Sequence, residues 1–169
     1  VAAAATALLG AWVRESVRAG LEADFAERVD QAFGEVERSL AEEAALVRDL
    51  VLPLCKRGTF FDQALLELER ARTVADLDVG VRLALRHHVP DEAAARRLDA
   101  LDLVTEQGLV LAALDVARMG TEAPELGRLV AESDEGSPRV RQTAPDHAVI
   151  QVHCARSSGG HRLGLVAVR

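Results

Sequence analysis

Apolar positions in the first third of the chain recur at helical spacing. Between residues 2 and 19, Leu9, Trp12, Val13 and Val17 form one stripe, and Gly20 suits a helix stop. From 21 to 52 there is no proline, and two heptad series interleave: Val29, Val36, Glu43, Leu50 and Phe33, Leu40, Val47, Leu54. Alternating steps of three and four put both series on one helix face. This pattern predicts a helix of about 45 Å at 1.5 Å per residue. Glu43 interrupts the seam, which favours packing of Phe33, Val36, Leu40 and Val47 against the chain's own helices over a long coiled coil. Pro53 ends or kinks the helix.

Shorter helical patterns follow. Thr59 with Asp62 resembles a capping box, and Phe61, Leu65 and Leu68 share a face. Thr73 with Asp76 repeats the cap ahead of Leu77, Val81, Ala84 and Leu85. Pro90 suits a first helical turn, from which DEAAARRLDALDLV reads as helix. Thr105 and Gly108 mark a boundary, LVLAALDVARM reads as another helix stopped by Gly120, and Pro124 opens a last one ending near Glu132.

The pattern changes at Ser133. SDEGSPRVRQTAPD is polar, with Gly136, Pro138 and Pro145, and reads as a linker. Beyond it the period becomes two. A turn at Ser158-Gly159 pairs Cys154 with Leu163, Val152 with Leu165 and Ile150 with Ala167, so all six apolar residues share a face. The expected fold is therefore mainly α: a bundle of six or seven helices, one of them long, over residues 1–132, a linker over 133–146, and an antiparallel β-hairpin over 147–169 appended to the bundle.

The segment GGHRLGLVAV resembles the glycine-rich lid of the ATP-binding domain of sensor histidine kinases, in which G-x-G-L-G-L precedes Ala-Ile-Val. Gly160, Leu163, Gly164, Leu165 and Val168 match. The resemblance implies phosphate held by glycine backbone. Arg162 stands where that motif has a glycine, and the chain has no asparagine to help hold magnesium and phosphates. The hairpin reading is therefore preferred, and no cofactor is expected.

Composition narrows the function classes. With 49% apolar residues and 28% charged, the chain suits a globular core, built of Leu, Val and Ala rather than aromatics, which are only 3%. A net charge of −7 disfavours a general nucleic-acid binder. A single lysine, a single isoleucine and no asparagine or tyrosine are the codon signature of a GC-rich genome. The apolar start VAAAATALLGAWV is about 13 residues, too short for a membrane span, and lacks the basic n-region of a signal peptide. Cys55 and Cys154 make no disulfide framework and read as buried thiols of a reducing, intracellular compartment.

No catalytic set emerges. His147, His153, Cys154 and His161 cluster in sequence, but strand alternation separates them, and no metal site is expected. His87 and His88 suit cationic contacts at a helix C-terminus. Asp91, Glu92, Arg96 and Arg97 read as a solvated face. The expectation is an intracellular, non-enzymatic interaction, adaptor or regulatory module with a protein partner or homodimer. It would act through Trp12, Phe33, Val36, Leu40, Val47, Ile150, Val152, Leu163 and Leu165. The alternatives are a small-molecule-binding bundle with an apolar pocket, and an enzyme of unrecognised chemistry.

Overall fold

The computed structural model of the chain describes residues 2–70, 79–142 and 149–169. The Thr73 and Asp76 cap, Leu77 and His147 lie outside these, as do the side chains of Leu9 and Val81. The elements in chain order are α1 (Ala2–Arg57), α2 (Thr59–Arg70), α3 (Val79–Ala95), β1 (Ala100–Thr105), β2 (Val110–Ala113), a 3-10 helix (Val116–Arg118), α4 (Pro124–Glu132), β3 (Arg139–Gln142), β4 (Ile150–Ser158) and β5 (His161–Val168). Two compact units divide the chain, Val1–Glu42 and Glu43–Arg169.

The first unit consists of α1 residues alone. Gly20 does not stop the helix, because the Ala, Arg and Glu around it outweigh a single glycine's cost of about 1 kcal/mol. Pro53 is likewise carried within the helix. The seam divides into exposed and buried parts. Phe33 is 66% and Val36 56% exposed, against the expected burial, since this unit has no second element to cover them. Leu40 is half-buried. In the second unit Val47, Val51 and Leu54 are buried.

The second unit is not a helical bundle with an appended hairpin. It is built on a five-stranded antiparallel sheet of order β2-β1-β5-β4-β3. The segments expected to be helical at 100–105 and 110–113 are strands. Both are short apolar runs buried almost throughout, for which spacing alone does not separate strand from helix. A register shift at Leu103/Val104 further breaks the alternation. Between them, Gly108 N–H donates to the Thr105 carbonyl (2.9 Å) and Leu109 N–H to Thr105 Oγ1 (3.1 Å), closing a hairpin where a helix boundary was expected. The polar segment read as linker contributes the edge strand β3.

The C-terminal hairpin forms, with its register moved. Cys154 faces Leu165, Val152 faces Ala167, and Ser158 faces His161, so the turn is Gly159-Gly160 rather than Ser158-Gly159. Both glycines have positive φ (56° and 84°), as a two-residue hairpin turn of the primed type requires, and a serine at the first position would resist it. A shift of this parity keeps the apolar residues on their face. Far from being an appendage, β5 lies at the centre of the sheet, bonded to β1 and β4.

Each sheet face has its own core. On one, Leu101, Leu103, Ala112, Ile150, Val152, Cys154, Leu163, Leu165 and Ala167 pack with the end of α1, with α2 and with α3. On the other, Val104, Val110, Ala113, Ala155 and Val166 pack with Leu126, Leu129 and Val130 of α4. Cys55 and Cys154 form a disulfide joining α1 to β4. This corrects the expectation of free thiols in a reducing compartment, because a structural disulfide belongs to an oxidising one.

Several local expectations change with the fold. Thr59 is the first residue of α2, and the Gly58 carbonyl accepts from Asp62 N–H (3.2 Å). Asp62 reaches Arg156 on β4 at 2.5 Å, and Arg156 lies over the Phe61 ring, 5.6 Å from its centroid. His87 and His88 are exposed within α3, away from its C-terminus. Arg96, expected on a solvated face, donates from Nε to the Leu50 carbonyl (3.0 Å) and fastens α3 to α1.

Candidate functional site

On the α4 side of the sheet, one cross-strand row carries most of its chemistry. Register places Ala113, Asp102, Val166, His153 and Arg139 side by side on β2, β1, β5, β4 and β3. Asp102 and His153, two strands apart and so about 10 Å from each other, are the buried ionisable side chains among the described residues.

Asp102 sits between apolar neighbours, because Leu101 and Leu103 flank it in β1. Its residue is 3% exposed. Oδ2 accepts from Arg118 Nη1 at 2.7 Å, whereas Oδ1 is buried without a hydrogen-bond partner. Burial pushes the carboxyl above its ordinary pKa, and Arg118 opposes that shift. Arg118 comes from the 3-10 helix that follows β2, and its side chain is 38% exposed. Asp115 starts this helix, its Oδ1 accepting from Ala117 N–H at 3.0 Å.

His153 lies under the end of α4. Ser133, the C-cap residue, donates its hydroxyl to the Leu129 carbonyl (2.6 Å), so His153 Nδ1, at 2.8 Å from Ser133 Oγ, carries the ring proton and donates. Desolvation lowers the imidazole pKa; Arg139 and Arg141 add to this, while Glu132 and Asp134 oppose it. A lowered pKa means that the unfolded chain binds the proton more readily. The stabilising effect of a neutral His153 is complete above the ordinary value of 6.5 and is lost as pH falls below it towards the folded value. Stability measured by urea melts at pH 7.5 and 5 should therefore drop more in the wild type than in His153→Gln, which keeps a donor to Ser133.

The glycine-rich segment packs; it does not cradle phosphate. Gly164 lies opposite Val104 and Ala155, beneath α4. Arg162, at the position of the kinase motif's glycine, caps α4: Nε donates to the Val130 carbonyl (3.0 Å) and Nη2 to that of Ser133, while Nη1 donates to Ser157 Oγ (3.1 Å). Arg162→Ala should cost roughly 1–3 kcal/mol, read as a shifted urea midpoint.

The residues expected to form an interaction surface are dispersed. Trp12, Phe33 and Val36 are exposed on α1, Leu40 is half-buried, and Val47, Ile150, Val152, Leu163 and Leu165 are core. Cys154 is in the disulfide, His161 is half-buried beside the Gly159-Gly160 turn, and among the described residues no three His, Cys, Asp or Glu side chains gather as a metal site. Asp102, Arg118 and Ser133 were not among the sequence candidates. The available signal was an acid, Asp102, between Leu101 and Leu103 in an apolar run.

No family model and no curated protein matches the chain. Among solved structures it is similar to the sensor domain of the V. cholerae histidine kinase DctB, at 14% identity and TM-score 0.49 over 82% of this chain. It spans only 55% of that domain. It is also similar to the E. coli DcuS sensor domain, at 14% identity and TM-score 0.47, over 78% of this chain and 87% of that one. The expectation of an adaptor acting through these faces is corrected by the fold: the hairpin offers no apolar docking face, because that face is core. Among the described residues no helix is long and apolar enough to cross a membrane.

Proposed function

We propose that residues 43–169 form a small-molecule-binding sensor domain in an oxidising compartment, with its ligand site on the α4 face of the sheet. The observation that carries this reading is the buried row holding Asp102 and His153. Burying ionisable groups costs stability unless they are fully paired, and Asp102 keeps one oxygen unpaired. Such a group, placed under a short exposed segment, supplies the polar anchor of a binding site in an otherwise apolar setting. The Cys55–Cys154 bond supports the compartment. The test is a thermal-shift panel of small amines, carboxylates and amino acids. At least one class should raise the melting temperature of the wild type and fail to raise that of Asp102→Asn. A panel that shifts neither protein contradicts the reading.

We also infer that the exposed stripe of Trp12, Phe33 and Val36, continued by Leu40, pairs with a second copy of the chain. The exposure of large apolar side chains at heptad spacing along one helix supports this reading. Light scattering should give a dimer for the wild type and a monomer for Phe33→Glu.

A further inference from the structure

The geometry around Asp102 assigns a ligand class. We propose that Asp102 is the anchor of a site for a small organic cation bearing N–H donors, an alkylguanidinium or alkylammonium, and that the Arg118 guanidinium is its tethered occupant. This rests on the reading of the α4 face as a ligand site.

Three observations point the same way. Asp102 Oδ1 is buried and unpaired, so the group that completes the site must donate a hydrogen bond; a carboxylate ligand has no proton to give. A second carboxylate lies within reach: Asp115 acts on Asp102 against the Arg118 guanidinium, so the surroundings favour a further cation. The pair is also asymmetric. The Asp102 side chain is 4% exposed and fixed in β1, whereas Arg118 is 38% exposed on a three-residue helix. Displacing Arg118, which lies at the surface, would free Oδ2 for another donor. A ligand with two or more N–H donors would offer one to each oxygen, whereas Arg118 pairs with Oδ2 and leaves Oδ1 without a partner. Arg118 competes with that ligand and lowers its apparent affinity by the fraction of time it occupies the site.

Ethylguanidinium, ethylammonium and propionate are titrated into the ¹⁵N-labelled full chain, and amide shifts are followed in the wild type, Asp102→Asn and Arg118→Ala. Saturable shifts centred on Asp102, Ala113, Arg118 and Val166 are expected with the cations and not with propionate. They should vanish in Asp102→Asn. If Arg118 occupies the site nine-tenths of the time, Arg118→Ala should bind about ten-fold more tightly. Absence of localised shifts in the wild type with either cation overturns the inference, even if Arg118→Ala binds them, because a merely structural ion pair also leaves a hole when cut. The wild-type titration decides even if Asp102→Asn fails to fold. Shifts at the same residues with propionate alone would overturn the cation class and leave the sensor reading standing; no shifts with any of the three, together with an inert thermal-shift panel, would remove both.

Discussion

Reduction of the Cys55–Cys154 bond is expected to lower the stability of residues 43–169 by roughly 2–5 kcal/mol. The bond spans 99 residues of sequence and ties the end of α1 to a strand beside the sheet's centre. Cutting so long a loop frees the unfolded chain far more than the folded one, whose sulfurs are held in the core, both cysteines being fully buried. Against the 5–15 kcal/mol typical of a whole domain, this is a large fraction. Urea melts with and without dithiothreitol should show a fall in midpoint for the wild type, and the Cys55→Ala/Cys154→Ala protein should sit near the reduced value and ignore the reductant. A wild-type midpoint indifferent to reductant would contradict both the bond's role and the assignment of an oxidising compartment.

Gly164→Val should be comparably damaging, for a different reason. A Cβ at this position would lie 2.2 Å from Val130 Cγ2 and 3.0 Å from the Cys154 carbonyl oxygen. The central strand cannot retreat, because β1 and β4 hold it on both sides. Helix α4 must lift instead, uncovering Leu126, Leu129 and Val130 and straining the Arg162 cap. Overpacking of this kind costs typically 1–3 kcal/mol, and the loss of helix docking adds to it. Val130→Ala makes room, so Gly164→Ala should be much milder in a Val130→Ala background than alone. Equal costs in the two backgrounds, read from urea midpoints, would place the strain elsewhere.

What the sequence made legible follows from which interactions are local. The α1 pattern and the apolar alternation from Ile150 to Cys154 are properties of one segment, and the long helix and the hairpin both exist. Where they end depends on the surrounding residues rather than on one, as at Gly20, through which α1 continues. The strands β1 and β2 were illegible because ALDLV and VLAA are too short and too uniformly buried to show a period, and a bulge disturbs what period there is. Once those two runs are strands, the hairpin becomes the centre of a sheet and its apolar residues change from a surface to a core. The disulfide was hidden for the same reason, since its partners meet only when β4 packs against α1. The site was least visible of all. Asp102, Arg118, Ser133 and His153 come from four different elements or caps, and only strand register brings Asp102 and His153 into one row. Arg162 shows the converse: in sequence it is a defect in a phosphate motif, and in the structure it closes the end of a helix.

Binding of a small molecule on the α4 face of the sheet would run through Asp102. It is tested most directly by mapping the strongest thermal-shift hit onto the ¹⁵N-labelled chain by amide chemical shifts. The largest changes should fall on Asp102, Ala113, Arg118 and Val166, with smaller ones reaching His153, and Asp102→Asn should abolish them. Changes confined to α2 and α3, or to residues 12–42 of α1, would contradict it.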